Sequence, residues 1–285
     1  MTEARNAFDD DARAQFAAHY PGQPTMIAHH MVGHPMLSID ALGALAARLD
    51  PSTIEYNRAD LPTGIAPEAT PDNGLSIADT IRSIRANNSW MVLKFIERDP
   101  AYAQLLADCL SAIAPAVEAA SGPMLKMHGF VFLSSPDAVT PFHIDPEHNI
   151  LLQIEGEKTM TIFPAGDTAL VSDAQHEAFQ RGAHRNLKWD EGFAAKGAAF
   201  NLTPGQAVHV PVKAPHHVKN GPLPSISLSI TWRSRLSFAE AEVRGMNALL
   251  RQRGLTPMSP GIAPARDGVK RVAYRALGKV QRLIG

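Results

Sequence analysis

Cysteine is almost missing: Cys109 is the only one in 285 residues, so no intrachain disulfide can form. Its setting, Leu105-Leu106-Ala107-Asp108-Cys109-Leu110, is that of a buried packing thiol in a helix rather than a nucleophile. Long apolar runs are also missing. None is long enough to span a bilayer, and the first residues lack the apolar core of a secretion signal. The expected location is therefore a reducing cytoplasm. Charge of one sign is lacking too. With 27 basic and 28 acidic residues the formal net charge is −1, which removes any global drive toward nucleic acid and leaves only local contacts of that kind. There are no internal repeats and no long low-complexity tracts. What remains, 45% hydrophobic and 19% charged residues, is the composition of a globular protein able to bury a sizeable core as one large or two small domains.

The first 122 residues read as helix-rich, with one or two strands. Residues 1–36 look irregular, apart from a short helix near Ala12–His19 and a Pro-Gly-Gln-Pro turn at 21–24. His29, His30 and His34 have no other ligand-type residue at a metal-binding spacing, so they read as loop and helix-capping histidines. Leu37–Leu49 has helical apolar spacing stopped by Asp50-Pro51. Thr53–Tyr56 is a short strand candidate. Residues 59–75 carry Pro62, Gly64, Pro67, Pro71 and Gly74 and read as a long loop. A serine-capped helix over Ser76–Ala86, a strand over Trp90–Ile96, and a helix opened by Asp99-Pro100 and running to about Ala120 follow.

From Leu125 the period becomes that of strands. His128, Phe130 and Phe132 fall on one face of the first, and further candidates lie at 139–144, 149–155, 157–163, 198–203, 206–210, 215–220 and 225–235. Turns at Glu155-Gly156-Glu157, Pro204-Gly205 and Asn220-Gly221-Pro222 separate several of them, a pattern of a barrel or sandwich. Residues 167–197, with His176, His184 and Trp189, form a polar, partly helical insertion. After Ser237, read as the cap of a helix over Phe238–Arg253, a Pro/Gly-rich linker (257–268) leads to a basic amphipathic helix, Val269–Ile284. It places Lys270, Arg271, Arg275, Lys279 and Arg282 among Val272, Leu277, Val280 and Leu283. Such a helix most often lays its apolar side on its own domain or on a second subunit, which would suit a homodimer; it can also touch an anionic membrane surface or an acidic partner.

The chemistry concentrates in Thr140-Pro-Phe-His143-Ile-Asp145-Pro-Glu-His148-Asn149 and in Pro211-Val-Lys-Ala-Pro-His216-His217. His143 and Asp145, at i and i+2, leave the same face of an extended strand. With one more histidine they complete a 2-His-1-carboxylate set that leaves open positions on a non-haem Fe(II). His216 is the choice, because proline stiffens the chain before it, while His217 alternates away. Lys158 follows the Gly156 turn in a strand expected antiparallel to the His143/Asp145 region. Turned inward among Met160 and Ile162, it would need an anionic partner, which a dicarboxylate cosubstrate supplies. Thr140 can add a hydroxyl and Asn149 an amide. Turned outward, Lys158 is an ordinary hairpin lysine. Phe130, Phe132, His148, His209 and Trp232 are candidates for the pocket or its surroundings, each more readily a packing residue than a substrate contact.

Val139-Thr140-Pro141-x-His143-x-Asp145, then Asn149, Gln153-Ile154, Gly156 and Lys158 resemble the JmjC/cupin-like 2-oxoglutarate oxygenases, among them the asparaginyl hydroxylase that acts on hypoxia-inducible factor. There the second metal histidine follows Gly-x5-Pro-x4, as His216 follows Gly205 and Pro211 here. The likeness covers about residues 125–235. The periodicity gives a helix-rich N-terminal segment over residues 1–122, packed on the barrel, and C-terminal helices over 237–285; between them the likeness implies a double-stranded β-helix (jelly-roll or cupin core) over 123–236, a fold that is mainly β with flanking helices. The likeness further implies Fe(II) at His143, Asp145 and His216, 2-oxoglutarate anchored by Lys158 and Thr140, and decarboxylation of the oxo-acid coupled to hydroxylation. One departure stands out. Where the relative's late strand offers an asparagine near the cosubstrate, this chain has Ser225, Ser227, Ser229 and Thr231, so Ser229 and Thr231 become the candidates for that contact, with the hydroxyls facing inward. Its substrate would be a small molecule or a protein side chain. Two other classes fit the same residues: a metal cupin such as an isomerase or an oxygenase needing no oxo-acid, which would leave Lys158 exposed, and a non-catalytic binding module using the basic tail.

Overall fold

The structure, a computed structural model, describes residues 7–65 and 71–284, with side chains to residue 279. A stretch of the predicted 59–75 loop, the residues 66–70, and Val280, Arg282 and Leu283 of the tail therefore lie outside the described side chains.

Three strands, not one or two, come from the N-terminal segment: β1 (Thr25–Ala28), β2 (Ile54–Arg58) and β3 (Ser89–Lys94). They do more than lie against the barrel, because they extend its larger sheet. With β4 (Leu125–Ser134), β5 (Val139–His143), β6 (His148–Glu155), β7 (Lys158–Ile162), β8 (Ala198–Leu202), β9 (Gln206–Val210), β10 (His216–Asn220) and β11 (Ser225–Arg233), two antiparallel sheets form. The larger runs β1-β9-β6-β11-β4-β3-β2 and the smaller β5-β10-β7-β8. From β4 to β11 the chain passes repeatedly between the sheets, the path of a double-stranded β-helix. β1 is four residues long and carries no period of its own; only its pairing with β9, Thr25 opposite His209, defines it.

The eight helices among the described residues are α1 (Asp10–His19), α2 (Ile39–Ala46), α3 (Ile77–Arg82), α4 (Pro100–Ser111), α5 (Ala114–Ser121), α6 (Asp173–Gln180), α7 (Arg235–Arg251) and α8 (Pro264–Ile284). Local capping fixes their starts. Asp9, Ser38, Ser76 and Asp99 each accept a backbone N–H at the first turn of α1 to α4. Ser234, not Ser237, caps α7, and Ser237 closes the capping box as its third residue. The helix expected from Pro100 to Ala120 breaks into α4 and α5, bent by 70°. No single helix among the described residues is long and apolar enough to cross a membrane.

The larger sheet is covered on both faces, which explains why β6 and β11 are buried along almost their whole length. Ile150, Leu152, Ile226, Leu228 and Ile230 face α1, α2, α4 and α5 in the main core, with Phe8, Phe16, Leu42 and Leu106. Cys109 belongs to this core, and burial pushes its thiol up to about 12, so it is a packing residue as read from its setting. The opposite face meets the smaller sheet across Leu151, Met160, Ile162, Leu202, Val208 and Val218. A third cluster joins Phe142 and Phe163 to Leu170, Val171 and Leu187 of the insertion.

α8 does not lay Val269 and Val272 on its own domain: they are 71% and 68% exposed, while Arg271 and Arg275 both reach Glu242 of α7.

The expected hairpin at Gly156 is instead a crossing. β6 and β7 belong to different sheets, and β7 pairs with β8 and β10. Gly156 has φ +70°, and a Cβ there would lie 2.1 Å from the carbonyl oxygen of Pro224. Both the left-handed backbone and the backbone neighbour forbid a side chain. Gly156→Ala is expected to destabilise the protein by about 2–4 kcal/mol, read as a lower urea midpoint; an unchanged midpoint would show that the crossing is not tight.

Candidate metal centre

His143 ends β5, His216 begins β10, and the two stand opposite each other in the antiparallel register. Asp145 lies beyond β5, which ends at His143, so the two do not share a strand as their spacing suggested. The loop nevertheless brings it to both rings. One carboxylate oxygen, Oδ2, is 3.6 Å from Nε2 of His143 and 3.6 Å from Nε2 of His216. One donor atom from each of the three residues falls within 4.8 Å of the others, which makes them a group able to hold a metal ion.

The donor chemistry fits a divalent metal. Nδ1 of His143 lies 2.7 Å from the Pro141 carbonyl, and Nδ1 of His216 lies 2.9 Å from that of Ala214. A carbonyl only accepts, so each ring donates from Nδ1 and turns the Nε2 lone pair to the centre. The same contact, to a carbonyl two residues upstream, orients both ligands. Burial pushes the His216 imidazole down to about 3, with the His143 ring acting in the same direction, so it stays neutral. Burial works against the Asp145 carboxylate, but His143, Arg185 and His216 hold it well below the usual range.

Thr140 faces the same cavity because β5 is irregular. His216 pairs with His143 but Val218 pairs with Thr140, so one extra residue bulges on β5. Strict alternation would send Thr140 and His143, three apart, to opposite faces; the bulge restores them to one.

Lys158 is inside, not at the surface. It starts β7 opposite Asn220 of β10, one strand removed from β5 and parallel to it rather than antiparallel. The His216 and Asn220 positions are four residues apart on β10, about 13 Å along the strand. Lys158 is 6% exposed and lines the cavity with Thr140, Met160 and Val218. No hydrogen bond or ion pair holds its ammonium among the described residues, and burial pushes it down to about 7.

The inner face of β11 is hydroxylic, as its alternation suggested. Ser229 donates to Oδ1 of Asn149 at 2.7 Å, and Ser227 to Oε1 of Gln153 at 3.0 Å. Asn149, Ser229 and Thr231 all line the cavity. So do Phe130 and Phe132. His148, His209 and Trp232 do not. They stack behind the larger sheet with Tyr20 and Phe16, because their positions alternate with those of Asn149 and Thr231. His217 faces away from the centre, against Phe163 and Trp189.

Three cavity residues carry no sequence signal. Trp90 arrives on β3 across the sheet, Arg185 from the insertion, and Glu147 from the loop after Asp145. Arg185 Nη1 is 3.6 Å from Asp145 Oδ1, the oxygen turned from the histidines. Burial pushes the Glu147 carboxyl up to about 7, with Asp145 adding to it. A groove of about 430 Å³ continues outward from Trp90, Thr140 and His143, between Glu55, Asn57 and Lys94 on one side and residues 182–186 of the insertion on the other. The insertion and the start of the 59–75 loop (Leu61) thus shape the mouth.

The unpaired ammonium has a consequence for stability. Lys158 folded holds its proton only to about pH 7, whereas the unfolded chain holds it to its ordinary value of 10.5. Between these the unfolded state binds more protons, so stability rises with pH; below pH 7 the full penalty is present. Lys158→Met is expected to raise stability of the metal-free protein by about 1–2 kcal/mol at pH 7. The gain should shrink toward pH 10 in urea titrations, and a pH-independent gap would mean that Lys158 is not buried as a charge.

In fold the chain is similar to E. coli ycfD, with a TM-score of 0.52 and 14% identity over 92% of this chain and 66% of that one. The structure described as YcfD, a ribosomal oxygenase from Escherichia coli, in complex with cobalt and 2-oxoglutarate gives a TM-score of 0.49 and 14% identity, over 88% of this chain and 59% of that one. The chain therefore spans less than two thirds of the length of these proteins. No curated protein sequence matches it. Residues 75–237, more than half of the chain, match the family of the cupin-like domain, and they contain all three ligand-type residues and Lys158: the chain belongs to the cupin-like family.

Proposed function

We propose that the protein is an Fe(II)- and 2-oxoglutarate-dependent oxygenase, a hydroxylase in its simplest form. The observation that carries the proposal is Lys158, a buried cation facing a cavity with no counter-ion among the described residues, in the same cavity as a His-Asp-His centre. A metal-binding cupin needing no oxo-acid has no use for such a lysine, and leaving it there costs stability. A dicarboxylate removes the penalty by ion pairing.

His143, Asp145 and His216 would hold the iron and leave positions for the oxo-acid and O2. Bound there, iron and 2-oxoglutarate supply the oxidising power, through oxidative decarboxylation, for inserting oxygen into a C–H bond. The chain's own residues bind and orient. Lys158 takes the distal carboxylate of the oxo-acid, and Thr140 adds a hydroxyl donor beside it. Asn149, its carbonyl held by Ser229, keeps its amide N–H groups for the cavity. Ser229 and Thr231 would take the place of the asparagine that the late strand of the asparaginyl hydroxylase offers. Phe130, Phe132 and Trp90 exclude water from one wall, and the substrate enters along the groove past Trp90 and residues 182–186.

Anaerobic titration with Fe(II) and 2-oxoglutarate tests the proposal, by the visible absorption of the oxo-acid chelated to iron. The band is expected in wild type, absent in His216→Ala, and in Lys158→Ala to need at least about tenfold more oxo-acid. Iron binding without the band would move the protein to another class of metal cupin, and no iron binding would remove the enzyme reading. Because the protonated lysine binds the dicarboxylate, oxo-acid affinity should be flat below pH 7 and weaken above it. A slope of the opposite sign would exclude Lys158 as the anchor.

A further inference from the structure

We propose that Lys213 is a positioning residue for the metal centre, tying the turn before His216 to the C-terminal helices through Glu240. The inference rests on the metal-binding reading of His143, Asp145 and His216.

Lys213 lies in a turn closed by the Ala214 N–H on the Pro211 carbonyl at 3.1 Å. Its φ is +63°, a left-handed conformation that strains a residue with a Cβ and that glycine adopts freely. A lysine here must offset that strain through its side chain. The backbone at this point touches two ligands. The Lys213 N–H donates to the carbonyl of Asp145 at 3.0 Å, which fixes the loop beyond β5. The next carbonyl, that of Ala214, accepts from Nδ1 of His216. A shift of this one turn would move Asp145 and rotate His216 together.

The side chain leads away from the centre and anchors the turn. Its ammonium pairs with Oε1 of Glu240 on α7. The same oxygen accepts from Nε of Arg244 at 2.7 Å, and Nη1 of Arg244 reaches Asp173, at the start of α6, at 3.0 Å. Ser259, in the linker before α8, holds the other oxygen of Asp173. Arg244 is largely buried, its side chain 8% exposed, so screening by solvent is weak and the geometry is defined. The turn that delivers His216 is thereby held by the insertion, by α7 and by the linker at once. The cluster balances its own charge, with Lys213 and Arg244 against Glu240 and Asp173, which suits a brace rather than a ligand site.

Three variants test this: Lys213→Ala, which keeps the strained backbone and loses the anchor; Lys213→Gly, which loses both; and the milder Glu240→Gln. Two quantities are read. In metal-free protein, amide exchange over 143–148 and 211–217 should quicken in Lys213→Ala and Glu240→Gln. Co(II) affinity, from its visible absorption, should weaken about tenfold in Lys213→Ala, less in Glu240→Gln, with Lys213→Gly recovering some of the loss. Wild-type exchange and Co(II) affinity in folded Lys213→Ala and Glu240→Gln would overturn the proposal, even with a lowered melting temperature, since that would mark a purely structural salt bridge. Failure of the wild type itself to bind Co(II) would overturn the metal reading, and the exchange measurement would still decide whether Lys213 holds the turn.

Discussion

The register that sets His143 against His216 is the constraint on which the rest of the molecule turns. A slip by one residue would carry one ring to the other face of the smaller sheet and abolish the centre. β5 is an edge strand, the kind most open to slipping. Its free side is covered: Phe142 donates to the carbonyl of Thr63 and accepts from Leu187, and Ile144 donates to Arg185. The Phe142 ring is pinned against Phe163 and Trp189. The N-terminal loop and the insertion thus stand in for a missing neighbouring strand, and the insertion serves register before it serves any substrate.

The larger sheet answers a different demand. Its inner face must present polar groups to a cavity, which a sheet with one wet face could do cheaply and a buried one cannot. The polar groups of β11 and β6 are therefore bonded to one another, Ser229 to Asn149 and Ser227 and Ser225 to Gln153. On the outer face Ile226, Leu228 and Ile230 bury against the helices. The apolar side stabilises a strand whose other side is spent on the site. The Lys158 ammonium is left without a partner among the described residues, and its burial opposes folding. A group that destabilises the free protein and is relieved by a ligand is the signature of a binding position rather than a scaffold one.

The sequence made the site legible where a residue type was unusual for its position, and silent where only tertiary structure decides. His143, Asp145 and His216 were readable because few other roles suit two histidines and a carboxylate after prolines at strand ends. Lys158 was readable only as one of two orientations, since a lysine at a turn is most often solvated. The β5 bulge that turns Thr140 inward leaves no mark in the sequence; the family likeness pointed to Thr140 while simple alternation pointed away. Trp90, Glu147 and Arg185 reach the cavity from three separate segments, and no spacing rule links them. His148, His209 and Trp232 were candidates for the pocket or its surroundings, each more readily a packing residue, and packing is the role they have. An aromatic or imidazole near a metal motif attracts attention, yet period 2 puts them behind the sheet, beside Tyr20, the residue that follows α1, far from β6 and β11 in the chain.

The C-terminal helices show how far a pattern can be read without its partner. A stripe of basic residues along an amphipathic helix suggests attraction to an anionic surface, but in α8 three of these side chains are paired within the chain. Arg271 and Arg275 share Glu242, and Lys270 reaches the Met258 carbonyl. Exposed pairs of this kind contribute at most about 1 kcal/mol each, so they orient α8 more than they hold it. What holds it is close approach: Gly245 of α7 lies under the ring of Tyr274, where a Cβ would come within 2.4 Å of the aromatic carbon Cζ. The glycine sits one residue after Arg244, the arginine that reaches toward the metal-side turn through Glu240. The contact that seats α8 and the brace that steadies His216 therefore share one turn of α7, and a change in the packing of α8 has a short path, through Arg244, Glu240 and Lys213, to the metal ligands.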